Sequence, residues 1–373
     1  MLQASSNIEA HLQTPWRYQI QQPRNTKLEV FIARRVGAAF FLITSRQAVN
    51  SNALTFLERV KVMKAENHAV VILGEILVDM YLDSVATSTD RKSTFVGTPG
   101  GAPANVAANL ASMGIPSSFI TSFSDDPLGR DLMSVLEERG IDMSLSSIHE
   151  SKTPLAMVLS SPEGERSFRL YLSGSALERL DVSSASLSRE ISFFHFGSVL
   201  LVFEAGVKAT RTLLGQVADR KTIRSYDINV RPDIFKLNPR AARESLAVLD
   251  QVDVLKLSSE DLEWIQKNAD ASLRVPSDFF KFGIKLIAYT EGANGSTLLT
   301  PNTSLSVLAP DVQVVDTTGS GDAFMAGILA SLYEQNFRSR DTLLHLDEAV
   351  LRKIGDRANH AAKHILGQAG AMP

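Results

Sequence analysis

Short apolar runs recur along this chain. Most close on Gly, Ser, Asp or Asn, and most are followed by residues with helical spacing. The runs are Ala69 to Leu73, Ser118 to Ser122, Phe193 to Phe196, Ile223 to Ile228, Val252 to Leu257 and Lys285 to Tyr289. Ala69 to Leu73, apolar on every residue rather than on every second one, predicts a strand buried on both faces, as in a parallel sheet covered by helices. Polar residues just after the strands predict a site along one edge of that sheet. One stretch breaks the rhythm. Thr153 to Ser161 and Arg166 to Leu172 are β-rich and separated only by Pro162-Glu163-Gly164-Glu165, a hairpin signal and a candidate flap over the site.

Composition excludes several classes. The 373 residues suffice for one large α/β domain with an attachment, or for two domains, and a net charge of −3 gives no basic excess for nucleic acid. With no cysteine there is no disulfide, thiolate catalysis or Cys-based metal site. No apolar run is long enough to span a membrane. Asn294-Gly295-Ser296 and Asn302-Thr303-Ser304 match the glycosylation acceptor pattern and read as ordinary turns. Asn359, His360 and His364 share the last helix. The two histidines are four apart but lack an acidic partner for a metal triad.

Residues 1 to 66 differ from the rest, with nine Lys/Arg, four Glu and no Asp. They read as a transit peptide, as a loosely packed extension, or as residues upstream of a true start at Met63. The third reading is preferred, because the patterned region begins within ten residues of Met63. A cytoplasmic location is then expected, or a plastid or other organelle if the segment is a transit peptide.

Two motifs carry chemistry. In Val315-Asp316-Thr317-Thr318-Gly319-Ser320-Gly321-Asp322-Ala323-Phe324 a Gly-rich turn runs into a helix whose Phe324, Ile328 and Leu332 fall one turn apart. A helix N-terminus offers unpaired N–H groups and a positive dipole end to an anion, and glycines admit a phosphate closely. Asp322, in the first turn, is placed to take a proton from an attacking hydroxyl. The helix dipole is expected to make it less basic. Taken alone, the same residues read as a capped helix start. No Gly-Lys-Ser/Thr follows, so this is not a Walker A loop, and Phe324 stands where a dinucleotide fingerprint needs its third Gly. In Gly100-Gly101-Ala102-Pro103-Ala104-Asn105-Val106-Ala107 the glycines allow close backbone approach and Pro103 opens a helix. Asn105 stands polar amid alanines, suited to sugar hydroxyls. Asp79 reads as a charge at a strand end.

From about Val70 to Pro373 these motifs, in this order, resemble the ribokinase-like (PfkB) sugar-kinase family. Gly74-Glu75-Ile76-Leu77-Val78-Asp79, Asp227-Ile228-Asn229-Val230-Arg231 and Gly370-Ala371-Met372-Pro373 resemble its fructokinase branch most. The resemblance implies an α/β ribokinase-like three-layer sandwich over 67–373. It has a mostly parallel central sheet and a small β-sheet lid drawn from about 80–98 and 153–172. It implies ATP-dependent phosphorylation of a primary hydroxyl, most readily of fructose, with 2-keto-3-deoxygluconate or a related sugar as alternative, or a catalytically silent scaffold. By the same resemblance Asp322 is the base, and Gly319, Ser320 and Gly321 form the anion hole. Asp79, Gly101 and Asn105 hold the sugar, and Asp227, Asn229 and Arg231 line the space between sugar and phosphates. Thr290, Gly292 and Gly295 border the nucleotide, with Asn359 near the adenine. ATP, Mg²⁺ and a monovalent cation such as K⁺ are implied, with Asp261 handling Mg²⁺ through water, and so is a homodimer through the lid. Two departures stand out. Ser258 and Asp261 replace the common Asn and Glu, and Leu172 stands where a lid arginine is expected.

Overall fold

The computed structural model describes residues 70–83, 94–160, 166–187, 190–237 and 239–373, together with the backbone of three strands nearer the N-terminus. The chain divides into two compact units, residues 1–65 and 66–373. In the first, β1 (Trp16–Ile20), β2 (Leu28–Arg35) and β3 (Ala38–Ile43) form an antiparallel sheet in the order β1-β2-β3.

The second unit is built on an eight-stranded sheet. Its strands are β4 (Val70–Leu73), β7 (Ser117–Ile120), β12 (Phe193–Gly197), β13 (Ile223–Asp227), β14 (Val254–Ser258), β15 (Leu286–Thr290), β16 (Ser296–Leu299) and β17 (Ser304–Val307). They lie in the order β17-β16-β15-β14-β13-β12-β4-β7. The six strands from β15 to β7 pair in parallel, and β16 and β17 add an antiparallel edge. Alternating side chains feed two separate cores. In β4, Val70 and Ile72 join Phe119, Val106, Leu110, Ile328 and Leu351 on one face. Val71 and Leu73 join Phe194, Phe196, Leu213, Tyr226 and Ile265 on the other. Period-two alternation with apolar residues at both phases gives a sheet covered by helices on both sides, the three layers the apolar runs predict.

A second, four-stranded sheet is built from β5 (Leu77–Asp83), β6 (Thr94–Gly100), β10 (Leu155–Ser160) and β11 (Arg166–Tyr171). They lie in the order β11-β10-β5-β6. The expected hairpin is β10–β11, antiparallel, with β10 running parallel to β5. Asp79 is therefore not at the end of the preceding strand. Gly74–Ile76 break the chain, and Asp79 lies inside β5, opposite Thr98 and Ala156. The expected strand Ser118 to Ser122 is interrupted at Thr121. β8 (Ser122–Ser124) leaves the main sheet to pair with β9 (Ser147–His149). The acceptor-like asparagines do lie in turns: Asn294 in a 3₁₀ turn before β16, and Asn302 between β16 and β17.

At the N-terminal ends of the central strands one buried carboxylate ties three elements. Asp253 accepts from Arg224 at the start of β13, from Lys285 before β15 at 2.8 Å, and from Arg340 at 3.0 Å. Burial works to raise its pKa, but the Arg224 and Lys285 hydrogen bonds overcome that and hold it low.

Candidate active site

The site forms at the opposite, C-terminal ends of the strands. The helix Ser320–Glu334 begins at Gly319, which adopts φ 77°. A side chain on Gly319 would strike Ala371, at 2.5 Å from its Cβ. Asp316 braces the loop from within, accepting from the amides of Thr318 (2.7 Å) and Gly370 (3.3 Å). The Ser320 hydroxyl donates to the Thr317 carbonyl at 2.9 Å, and the Ala323 amide to Gly319 at 2.9 Å. The amides of Gly321 and Asp322 fall in the first turn, where a helix supplies no partner of its own.

Asp322 is 7% exposed and shares the wall of a small cavity with Pro103, His195, Ser198, Asp227 and Asn229. Its Oδ2 accepts from Asn105 Nδ2 at 2.8 Å. Asn105 comes from the helix Ala102–Ser112, entered through Gly101 at φ 107°, where a Cβ would press on the Glu75 carbonyl at 2.6 Å. The buried Asn105 Oδ1 has no protein partner. One amide thus orients the acid and keeps an acceptor free for a substrate hydroxyl.

Asp227 closes β13 and is register-paired with Lys256 of β14, whose ammonium donates to Asp227 Oδ2 at 2.8 Å. Both side chains are buried, and Asp227 Oδ1 is unpartnered. After Asp227 the chain turns at Asn229, φ 46°, and Asn229 Oδ1 accepts from Arg231. Asp261 is committed to this architecture. Its Oδ1 accepts from the Val230 amide (2.7 Å), and its Oδ2 from the Ser258 amide (2.7 Å) and hydroxyl (2.9 Å), as half of a capping box. Both oxygens are engaged, which leaves no room for direct metal ligation. Among the described residues no cluster of three or more His, Asp or Glu has metal-binding geometry. The unpartnered Asp227 Oδ1 instead suits a hydroxyl or a hydrated cation.

Buried acids crowd this edge. Burial pushes Glu75 and Asp79 each up to about 7, with Arg231 working against it. Burial raises Asp227 to about 6 despite Lys256. Asp322 is also raised, by burial first, with Asn105, Lys256 and Arg231 opposing. This corrects the expectation that the helix start would make Asp322 less basic: desolvation wins, and the carboxylate is more basic for it. Burial works to lower Lys256, but Asp227, Asp261 and Asp322 hold it above its ordinary value. His195, hydrogen-bonded to Ser225 at 3.0 Å, falls to about 3 through burial and the nearby Lys256, so it stands neutral.

The structure thus brings Asp322, Asn105, Asp227 and Asn229 to one place, with Arg231 and Asp79 within electrostatic reach. Thr290 ends β15, and Gly292 and Gly295 (φ 57° and 95°) shape the turn after it. A side chain on Gly295 would meet the Val307 carbonyl at 2.3 Å. Asn359 Nδ2 donates to the Leu308 carbonyl at 2.6 Å. Leu172 is buried with Leu177 and Val199. Sequence reasoning passed over Lys256, Glu75 and His195. The signal for Lys256 was available: a lysine in the middle of the apolar run Val254-Leu255-Lys256-Leu257 needs a buried partner.

The family model described as pfkB family carbohydrate kinase matches residues 67–373. The chain belongs to that family. Among curated members it is 33% identical over 312 residues to probable fructokinase-6, chloroplastic, of Arabidopsis thaliana, covering 83% of this chain and 80% of that one. It is 32% identical over 313 residues to fructokinase-2 of Oryza sativa subsp. japonica, covering 83% and 91%. Among solved structures, fructokinase with bound ATP from Xylella fastidiosa superimposes with a TM-score of 0.70 at 26% identity, covering 82% and 95%. The fructokinase of Vibrio cholerae O395 in its fructose, ADP and calcium ion bound form also gives 0.70, at 27% identity and the same coverage. The ribokinase-like sandwich and the fructokinase branch of this pfkB family are thereby shown.

Proposed function

We infer that this chain is an ATP-dependent fructokinase, converting D-fructose and ATP to fructose 6-phosphate and ADP. The observation that carries the reading is Asp322: a buried carboxylate of raised basicity in the first turn of a Gly-flanked helix, fixed by Asn105. Asp322 takes the proton of the sugar's primary hydroxyl as that oxygen bonds to the γ-phosphorus and the bond to the β,γ-bridging oxygen breaks. The amides of the Gly319-Ser320-Gly321 loop receive the charge on the transferring group. The Asn105 Oδ1 and the protonated form of Asp79 address sugar hydroxyls, with Gly101 giving the backbone room. Asp227, Asn229 and Arg231 stand between sugar and phosphates. Thr290, Gly292, Gly295 and Asn359 border the nucleotide.

A magnesium ion bound to the nucleotide would neutralise charge on its phosphates, and Asp227, with Asp261 behind it, would hold it through water. K⁺ beside the anion-hole loop fits the same reading. The four-stranded sheet is the proposed lid. Its exposed Leu82, Phe95 and Tyr171, which the strand register puts on one face, support a homodimer through that face. Among the described residues no helix is long and apolar enough to cross a membrane. The chloroplastic relative supports a plastid location if residues 1–66 act as a transit segment.

The test is an ADP-release screen over fructose, 2-keto-3-deoxygluconate, ribose, tagatose and adenosine with Mg²⁺ and K⁺. Fructose is expected to give the highest kcat/KM. A preference for 2-keto-3-deoxygluconate would move the chain to that branch, where Leu172 in place of a lid arginine would have a reason. No turnover with any of them would make it a silent scaffold.

A further inference from the structure

We propose that Lys256 is a positioning residue for phosphoryl transfer: pinned by Asp227, its ammonium lies behind the Gly319-Ser320-Gly321 loop and supplies fixed positive charge to that loop and to Asp322. This inference rests on the kinase reading.

Three observations carry it. The first is contact with the loop. A Cβ built on Gly321 would stand 3.4 Å from Lys256 Nζ and 3.7 Å from Cε. The ammonium therefore rests against the bare face of the last residue of that loop, and glycine there leaves it unobstructed. The second is the incomplete pairing. The ion pair uses only Asp227 Oδ2, while Asp227 Oδ1 is buried, unpartnered and part of a residue on the cavity wall. A purely structural link between β13 and β14 gains little from being ionic, since an apolar pair of similar volume holds two strands at least as well. The third is the local charge. Asp322 is faced by Lys256 and Arg231 as cations and by Glu75 and Asp79 as acids, with Asn105 as neutral donor. Asp227 and Asp316 complete the acidic surroundings. His195 is neutral. Of the two cations only Lys256 is fully inside, so it is the charge that solvent screens least. Arg231, half-buried and engaged with Asn229 and the Val230 carbonyl, belongs to the mouth.

The test uses the full chain and the sugar that the wild type phosphorylates. K256M, K256R and the double variant K256M/D227N are compared by ADP release across pH, by thermal melting and by ADP binding in calorimetry. K256M is expected to lose kcat by about a hundredfold, the scale of one lost oxyanion donor, with KM for the sugar within about twofold. The acid limb of its kcat profile moves to higher pH, because Asp322 loses a cation that favours its ionised form. K256R recovers part of the rate and returns the limb toward its wild-type position. The double variant stays slow, since cancelling the Asp227 charge does not replace the ammonium. It also removes a carboxylate that the proposed function uses, so the acid limbs of K256M and K256R carry the comparison. Recovery of wild-type rate in the double variant would overturn the proposal, showing that Lys256 only neutralises Asp227. So would a K256M enzyme within threefold of wild type with an unmoved acid limb. If K256M does not fold, the rates and acid limbs of K256R and the double variant decide between the same two outcomes. A wild-type chain that turns over no sugar overturns the kinase reading itself, and this inference with it.

Discussion

Asn105→Ala removes one hydrogen bond and spares the fold. The Asn105 side chain is buried, its Nδ2 lies 2.8 Å from Asp322 Oδ2, and its Oδ1 meets no protein atom. A hydrogen bond to a charged group is worth about 1.5–3 kcal/mol, so losing this one lowers kcat by about 10- to 150-fold if Asp322 must be ionised and aimed. The sign for pH follows from the same bond. Burial raises Asp322 and Asn105 opposes it, so without Asn105 the carboxyl rises further and the acid limb of the kcat profile moves up in pH. The Oδ1 adds a second effect: a hydroxyl that bonds to it is lost as well, and KM for the sugar increases. Asn105→Asp places a like charge against Asp322 and shifts the limb in the same direction, further. The assay is ADP release from about pH 5 to 9 at saturating ATP, with thermal melting to confirm folding. A folded Asn105→Ala enzyme with kcat within threefold of wild type and an unchanged limb would refute the assignment of Asp322 as an oriented base.

Asp322→Asn is expected to abolish turnover while calorimetry still detects sugar and nucleotide; near-normal turnover would remove Asp322 as base. Gly319→Ala puts a Cβ into Ala371 at a φ of 77°, and should cost about 1–3 kcal/mol and lower Tm and kcat together; an unchanged melt would contradict the packing described. Glu75, pushed up to about 7 from an ordinary 4.5, binds more protons folded than unfolded between those pH values. It therefore destabilises the fold progressively as pH rises through that window. Glu75→Gln should raise Tm more at pH 8 than at pH 5, and an equal shift at both would show that Glu75 is not buried in that way. Removing residues 1–62 should leave kinase activity intact, and loss of folding would show that this segment belongs to the domain.

The layered fold was legible because short apolar-rich runs recur between helical patterns: Phe193 to Phe196 fell inside its strand, and Ile223 to Ile228 overran its strand by one residue. The Gly-flanked helix start at Gly319 was legible because glycines, a threonine pair and a following apolar helix leave few alternatives. Three features escaped for identifiable reasons. Asp79 was misplaced because Gly74-Glu75-Ile76 carries no turn signal strong enough to separate two strands. The pairing of Asn105 with Asp322 joins residues 217 positions apart, beyond any local pattern. The basicity of Asp322 was read from its helix alone, whereas the desolvation that decides it comes from other elements packed around it.

The two ends of the central strands are electrically opposite. One gathers Glu75, Asp79, Asp227, Asp261 and Asp322; the other gathers Arg224, Lys285 and Arg340 around the single Asp253. Those acids lie buried behind Arg231 and share Lys256, so on the kinase reading a polyphosphate meets a cation first and sits best once part of its charge has been cancelled. The counterion, on that reading, arrives with the nucleotide and meets Asp227 from the open side.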